Sequence, residues 1–320
     1  VNGARVNEVN NNQKVAIIGA GLIGRGWAIV FARAGWRVNL YDLDPGALDN
    51  AVEALHEQLK MLAAQGLCTN AQEVLNQITF EADLQAAVLD ADYVQECGPE
   101  LLDVKRALFA ELDQLCSLNT ILASSTSGFM TSEFAEHLKG RSRVLVAHPV
   151  NPPHLVPLVE ISPSEWTDSA ITKSVHDIMT AVKQTPITVQ KEIPGFILNR
   201  LQGALLNEAL RLQQAGYATP EDIDKTVRDG LGLRWSFMGP FETIDLNAPD
   251  GLADYAERYG PMYKNMAATQ ATAPDWNEKA IAEVADSRRD VLDVDDIEQR
   301  QVWRDNRLAA LYAHRSKQES

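Results

Sequence analysis

Little in this chain ties it to a membrane, a nucleic acid or an oxidising compartment. Among its 320 residues are three cysteines, Cys68, Cys97 and Cys116, widely spaced and odd in number. They make neither a metal-binding spacing nor a disulfide framework, which points to a reducing cytoplasm. No uninterrupted apolar run reaches the roughly 18 residues of a membrane span. Basic residues are outnumbered, 29 against 44 acidic, and the net charge of −15 speaks against nucleic acid or anionic lipid as a partner. There is no internal repeat and no low-complexity tract. The absence of Gly-x-Ser-x-Gly excludes a serine-hydrolase elbow. The asparagine-rich start, residues 1–13, has no apolar core and reads as a flexible tail, not a signal peptide.

What is present is an ordinary globular composition, 45% hydrophobic and 23% charged, at a length that suits two domains. Residues 14–18 form a short apolar strand. Gly19-Ala20-Gly21-Leu22-Ile23-Gly24 follows at once. An apolar helical pattern then runs to Ala34, Gly35 stops it, and a second strand ends on Asp42. Strand, glycine loop, helix, strand and acid make a dinucleotide-binding unit. Gly19 permits the tight turn, Gly21 lets the backbone approach a pyrophosphate, and Gly24 lets the helix pack closely. The helix N-terminus at Leu22 and Ile23 offers unpaired N–H groups to the phosphates. A carboxylate at Asp42 suits a ribose 2′-hydroxyl and repels a 2′-phosphate, which favours NAD over NADP. FAD needs the same loop, but no second flavin-type feature accompanies it.

Asp44 and Pro45 open the next helix as N-cap and first helical residue. Its Leu48, Ala51, Val52, Leu55, Leu59 and Leu62 recur at helical spacing and are expected to face the core, and Gly66 ends it. Strands follow at 78–80, 92–96 and 121–124, with helices over 83–89 and 101–116. Glu100 and Lys105 fall where a strand hands over to a helix, the edge at which ligands of a parallel sheet sit. A first-turn glutamate and an exposed lysine are the plainer reading of the same two residues. Residues 124–127 carry four hydroxyls that suit a substrate or a ribose, or equally a turn and a cap.

Residues 144–161 organise the rest. An apolar run ends on His148, and Pro149, Pro152, Pro153 and Pro157 then keep the chain out of helix. A second apolar run begins at Leu158 and carries Glu160. A histidine leaving one strand and a carboxylate on the next can meet across the sheet, where the acid fixes the imidazole tautomer and supports its protonated form. A structural histidine and a surface glutamate are the alternative. His148, His154 and Glu160 lie at intervals of six with prolines between, a spacing that fits no metal site.

A helix over 167–183 and a strand over 187–189 lead to Glu192-Ile193-Pro194-Gly195, after which almost everything is helical. A long helix over 196–215 carries Asn199, and Thr219-Pro220 opens another. Residues 230–240 read as a glycine- and aromatic-rich loop holding Arg234, which is either a surface residue with a packed stem or a carboxylate clamp. The chain ends in an amphipathic stretch over 297–314. The expected fold class is α/β: a Rossmann-type doubly wound sheet over 14–192, followed by an all-helical domain over 193–320.

Together these pieces resemble the 3-hydroxyacyl-CoA dehydrogenase family. The likeness rests on the glycine loop, Ser125-Thr126-Ser127, His148-Pro149-Val150-Asn151-Pro152, Leu158-Val159-Glu160, Pro194-Gly195-Phe196-Ile197-Leu198-Asn199-Arg200 and Gly239-Pro240-Phe241-Glu242. It is strongest to the lambda-crystallin branch, whose members act as L-gulonate 3-dehydrogenase. The resemblance implies that His148 is the catalytic base with Glu160 as its partner, and that Ser127 and Asn199 hold the reacting oxygen. It places Asn151 by the nicotinamide, assigns Asp42, Glu100 and Lys105 to NAD binding, and implies a homodimer.

Two departures bear on substrate. CoA-using members carry a serine and a lysine where this chain has Gln58 and Gln65, leaving only Lys60 as a lysine on that helix. They also lack the arginine that stands here as Arg234, five residues before Gly239. The expected substrate is therefore a small free hydroxy acid bearing a carboxylate, such as L-gulonate. An (S)-3-hydroxyacyl-CoA or carnitine is the alternative substrate. A nucleotide-binding protein retained for structural bulk, as lambda-crystallin is in some lenses, is the alternative outside enzymology.

Overall fold

The computed structural model describes residues 13–318. Of the expected tail over residues 1–13, residues 1–12 lie outside the described residues. The first unit is built on eight strands: β1 (Lys14–Ile18), β2 (Arg37–Tyr41), β3 (Ile78–Glu81), β4 (Tyr93–Glu96), β5 (Ile121–Ser124), β6 (Val144–Pro149), β7 (Leu158–Pro163) and β8 (Thr185–Thr188). They form one sheet in the order β3-β2-β1-β4-β5-β6-β7-β8. All neighbours run parallel except β6 and β7, which pair antiparallel. The last two strands thus reverse direction, which apolar patterning alone does not reveal. The final strand also starts two residues earlier than the β-branched run 187–189 suggests, because Pro186 sits within it.

Alternation along the strands builds a core on each face of the sheet. Val15 and Ile17 of β1 join Val38, Leu40 and Tyr93 on one face; Ala16 and Ile18 join Val94, Leu122 and Phe109 on the other. The first face is covered by α1 (Leu22–Arg33) and α2 (Pro45–Ala64). Asp44 caps α2 as expected, its side chain accepting from Gly46 N at 2.9 Å. Five of the six apolar positions expected to face the core are buried; Val52 is instead 37% exposed, on the shoulder of the apolar stripe. A short helix, α3 (Ala71–Leu75), follows where the sequence suggests only a connection; Asn70 caps it through two N–H groups. Then come α4 (Leu84–Val88), α5 (Leu102–Leu115), α6 (Thr131–Ala135) and α7 (Ser169–Ala181).

Helix α8 (Leu198–Gln214) leads from the first unit into the second. The second unit spans residues 200–299 and holds α9 (Pro220–Lys225), α10 (Gly232–Trp235), α11 (Pro240–Asp245), α12 (Gly251–Thr269) and α13 (Glu278–Arg289). Residues 230–240 are therefore mostly helical, not a loop: a π-helical turn over Thr226–Leu231 runs straight into α10. Among the described residues of this unit only Leu210 and Thr243 are buried. The last helix, α14 (Ile297–Gln318), does not stay with the second unit as the expected boundary implies. From Arg300 onward it groups with the first, where Ala309 is fully buried against the α1 and α7 face. Among the described residues no helix is long and apolar enough to cross a membrane.

Candidate active site

The glycine loop fits a dinucleotide. Gly19 adopts φ +113°, and a Cβ there would stand 2.7 Å from the Cys97 carbonyl oxygen. Gly24 is tighter still: its Cβ would fall on the Gly19 carbonyl. Gly21 is the opposite case, with nothing within 4 Å of an added Cβ, so its backbone is open to a ligand. It is also the N-cap of α1 and supplies no side-chain cap, which leaves the N–H groups at the start of the helix available for phosphate. Leu22 and Ile23 are exposed and half-buried in that first turn. Asp42 follows β2 directly and accepts from Ala20 N at 2.8 Å and Asp44 N at 3.0 Å. The same carboxylate that would meet a ribose therefore also braces the loop.

Glu100 and Lys105 prove to be parts of one network. Glu96, which the sequence presents only as a strand residue, is fully buried and is its hub. Lys105 Nζ donates to Glu96 Oε1 at 2.9 Å and Oε2 at 3.1 Å, and stands 3.4 Å from Glu100 Oε2. Ser124 Oγ and Gly98 N also donate to Glu96. Lys105 is thus not the exposed lysine of the plainer reading; it is 1% exposed. A buried charge survives only when paired and hydrogen-bonded, and this one is both. Glu100 Oε1 in turn accepts from Thr126 Oγ1 at 2.6 Å and from the backbone N–H groups of Ser127 and Gly128 at 2.9 and 3.0 Å. Burial raises the Glu100 carboxyl's pKa, but the Thr126 bond and the Lys105 charge outweigh it and hold the group below its ordinary value. All four hydroxyls over residues 124–127 make contacts inside the protein: Ser124 donates to Glu96, Ser125 accepts from Gln95 and Trp27, Thr126 donates to Glu100, and Ser127 Oγ donates to Glu100 Oε1 at 3.3 Å. Ser127 remains exposed at the end of this chain of contacts.

His148 and Glu160 stand directly opposite one another on β6 and β7. His148 Nδ1 lies 2.9 Å from Glu160 Oε2, His148 is 6% exposed and Glu160 fully buried. The imidazole packs against Phe196, ring centroids 5.5 Å apart. Nε2, the other ring nitrogen, has no hydrogen-bond partner among the described residues and is free for a substrate proton. The remaining carboxylate oxygen, Glu160 Oε1, accepts from Ile197 N at 2.8 Å and Leu198 N at 2.9 Å. Burial raises the Glu160 pKa; the bonds from His148, Leu198 and Ile197 outweigh it and leave the carboxyl below its ordinary value.

Those two bonds explain why α8 starts at Leu198 and not at the expected 196. Gly195 and Phe196 are both left-handed, with φ +77° and +47°, and Glu160 satisfies the amides that follow. It serves as a distant N-cap. Asn199, the second residue of α8, donates through Nδ2 to the Ser127 carbonyl at 2.9 Å. The structure thus joins Ser127, Asn199, Glu160 and His148 in one cluster at the carboxyl edge of the sheet. Asn151 is exposed on the loop after β6. Arg234 lies in the second unit on α10, exposed, without an ion pair among the described residues. Among the described residues no three acidic, histidine or cysteine side chains gather as metal ligands.

A buried acid held by a buried lysine at the end of β4 is the functional feature that sequence reasoning missed. Its one signal is an acid, Glu96, at the end of a strand that begins with Tyr93 and Val94. The arrangement can do one kind of chemistry well: a carboxylate-oriented imidazole removes a proton beside a dinucleotide loop.

Comparison with known proteins agrees. The model of the 3-hydroxyacyl-CoA dehydrogenase NAD-binding domain matches residues 14–193, and that of the C-terminal domain of the same enzymes matches residues 195–287. The lambda-crystallin homolog of Bos taurus is 43% identical over 303 residues, covering 93% of this chain and 94% of its own. The L-carnitine dehydrogenase of Oceanobacillus iheyensis is 37% identical over 268 residues, covering 83% of this chain and 86% of its own. Among solved structures, 5-formyl-3-hydroxy-2-methylpyridine 4-carboxylic acid 5-dehydrogenase, an NAD+-dependent dismutase, superposes with a TM-score of 0.82. It is 28% identical and covers 94% of this chain and 97% of its own.

Proposed function

The chain belongs to the 3-hydroxyacyl-CoA dehydrogenase family, and on that premise we propose that it oxidises the 3-hydroxyl of a small free hydroxy acid, L-gulonate or a close analogue, to the 3-keto acid with NAD as acceptor. The observation that carries the reading is the Glu160–His148 pair at 2.9 Å with Nε2 unpartnered. His148 Nε2 takes the hydroxyl proton as the carbonyl forms. Glu160 keeps Nδ1 protonated and offsets the charge that develops on the ring. Ser127 and Asn199 would hold the reacting oxygen, and Asn151 would contact the nicotinamide of bound NAD. Bound NAD supplies the hydride acceptor; the glycine loop, Asp42 and Glu100 hold it, with Lys105 beneath Glu100.

A free acid is preferred to a CoA thioester because the helix that should meet CoA carries Gln58 and Gln65, and its Lys60 already faces Glu57 at 3.8 Å. The relative named for L-carnitine acts on a free 3-hydroxy acid, which supports the same class. Arg234 is proposed to pair the substrate carboxylate. Arg234→Leu is expected to raise KM for the acid by about tenfold to a hundredfold, the loss of a charge-assisted bidentate pair. An unchanged KM removes the clamp. Initial rates with L-gulonate and 3-hydroxybutyrate, set against 3-hydroxybutyryl-CoA, decide the substrate class. Turnover of the thioester alone selects the acyl-CoA reading, and turnover of carnitine above the other acids selects that sub-class. Binding of NADH with no turnover of any hydroxy acid leaves the crystallin-like role, against which the assembled His148–Glu160 pair weighs.

The second unit supports a homodimer. Its helices expose Leu201, Leu233, Phe237, Phe241, Leu246 and Trp276 while burying almost nothing of their own. Apolar surface on that scale is covered in stable proteins, and a second copy is the commonest cover. Sedimentation equilibrium should give twice the 35.2 kDa chain mass; a monomer at micromolar concentration defeats this assignment. Cys68, Cys97 and Cys116 are all free thiols, in keeping with the proposed cytoplasmic location.

A further inference from the structure

A cavity of about 220 Å³ lies in the first unit at the far end of α1 from the glycine loop. The 12 residues of α1 separate the two by about 18 Å at 1.5 Å per residue. Apolar walls of Val30, Pro153 and Val182 surround the polar side chains of Arg33, His154, Lys183, Gln184 and Tyr312. His154 is only 3% exposed, yet neither of its ring nitrogens has a hydrogen-bond partner. Gln184 Oε1 is buried and equally without one. Arg33 makes no ion pair among the described residues, and its burial works against its charge. Native proteins pair their buried polar groups, so two unpartnered side chains, His154 and Gln184, beside an unpaired Arg33 around one hollow call for an occupant.

The chemistry of the occupant follows from what is missing. Arg33 lacks a carboxylate. Burial and the Arg33 charge push His154 down to about 4, so the imidazole is neutral and presents one donor and one acceptor. Beside the unpartnered Gln184 Oε1, that arrangement suits a hydroxyl, which accepts once and donates once. Both α1 and α7 end here, and the partial negative charge of two helix C-termini opposes a dianion such as phosphate more than a monocarboxylate, whose single charge Arg33 and Lys183 offset. We propose that this cavity is a second binding site, for a small hydroxy acid whose carboxylate pairs with Arg33 and whose hydroxyl lies between His154 and Gln184. The loop that carries His154 joins His148 to Glu160. It is seated on α1, where a Cβ on Gly26 would meet Pro153 at 2.6 Å. A bound acid therefore braces the segment between the two residues of the proposed catalytic pair. The site stands on its own residues and does not depend on which reaction the protein catalyses.

The test uses the full chain with ¹³C-labelled histidine, the His154 resonance being identified by its loss in His154→Leu. The probes are L-lactate, propane-1,2-diol as its uncharged counterpart, and inorganic phosphate. Lactate carries its hydroxyl at carbon 2 and is not the proposed substrate, and the His148 resonance reports any binding there. Lactate should move the His154 resonance saturably, the diol should not, and phosphate should bind more weakly. Arg33→Met should raise the lactate Kd by about tenfold or more, and Arg33→Lys, which keeps the charge but loses the planar fork, by several-fold. A His154 resonance that lactate leaves unmoved, an equal response to the diol, tighter binding of phosphate, or an unchanged Kd in both Arg33 variants would each overturn the assignment.

Discussion

Replacing His148 with alanine is expected to lower kcat for hydroxy-acid oxidation by about 10²–10⁴-fold, the usual contribution of a positioned general base. NADH affinity should be unchanged. The two effects separate because His148 sits on β6 while the glycine loop follows β1, three strands away across β4 and β5. Alanine keeps the backbone bonds of the β6–β7 ladder and leaves a small gap against Phe196, so the variant should fold. Steady-state rates together with an NADH fluorescence titration read both quantities. A variant that keeps more than about a tenth of the rate removes His148 as the base, since even the weakest general base contributes more than that. One that loses NADH binding as well has lost structure, not chemistry.

Glu160→Gln is the second large effect, and it acts on both rate and stability. Three donors converge on this carboxylate: the His148 ring and the N–H groups of Ile197 and Leu198. Glutamine offers one acceptor oxygen and an NH₂ group: with the oxygen kept on the two amides, the NH₂ faces Nδ1 and holds the imidazole in the tautomer whose Nε2 carries the proton, the wrong one for a base. The bonds to Glu160 also lose their charge assistance, where a hydrogen bond to a charged group contributes about 1.5–3 kcal/mol, and the charge that would offset proton uptake by the ring is gone. The expected result is a fall in kcat of about 10²-fold or more and a loss of roughly 2 kcal/mol of stability at neutral pH. The pH dependence has a definite sign. Glu160 is held below its ordinary value of 4.5, so its contribution is complete above that pH and is lost as pH falls through the lower folded value. The stability gap between wild type and variant should therefore narrow in acid. Urea midpoints at pH 7 and in acid measure it; a gap independent of pH would mean that the buried carboxyl is not the charged partner.

The pairing of His148 with Glu160 is legible in the sequence because it follows from two elementary rules. Prolines break helix, and strand residues alternate, so an acid in the second run can face a histidine at the end of the first. The glycine loop was legible for a similar reason: only glycine tolerates φ +113° at Gly19 with a carbonyl 2.7 Å away. Less local features were not. Nothing in the β7 and β8 sequences records that they run against the other six strands. Lys105 looks like any helical lysine until the fold brings Glu96 beneath it, since burial of a charge is decided by its partner and not by its own neighbours in sequence. Residues 230–240 misled in the other direction. Glycines at 230, 232 and 239 suggest a loop, yet Gly230 lies in a π-helical turn and Gly232 opens α10, where tertiary context overrides propensity.

The bonds from Ile197 and Leu198 to Glu160 also decide where this chain can be cut and rejoined. The family domains meet between residues 193 and 195, and a chimaera would naturally be spliced at Pro194–Gly195. Such a graft hands Glu160 a foreign pair of amides and asks a foreign residue to take the left-handed turn at Phe196. Joining after Asn199 keeps the cap, the turn and the contact to Ser127 from one parent. The practical seam for exchanging substrate preference between relatives is thus set inside the first helical turn of α8, a few residues beyond the border that sequence families draw.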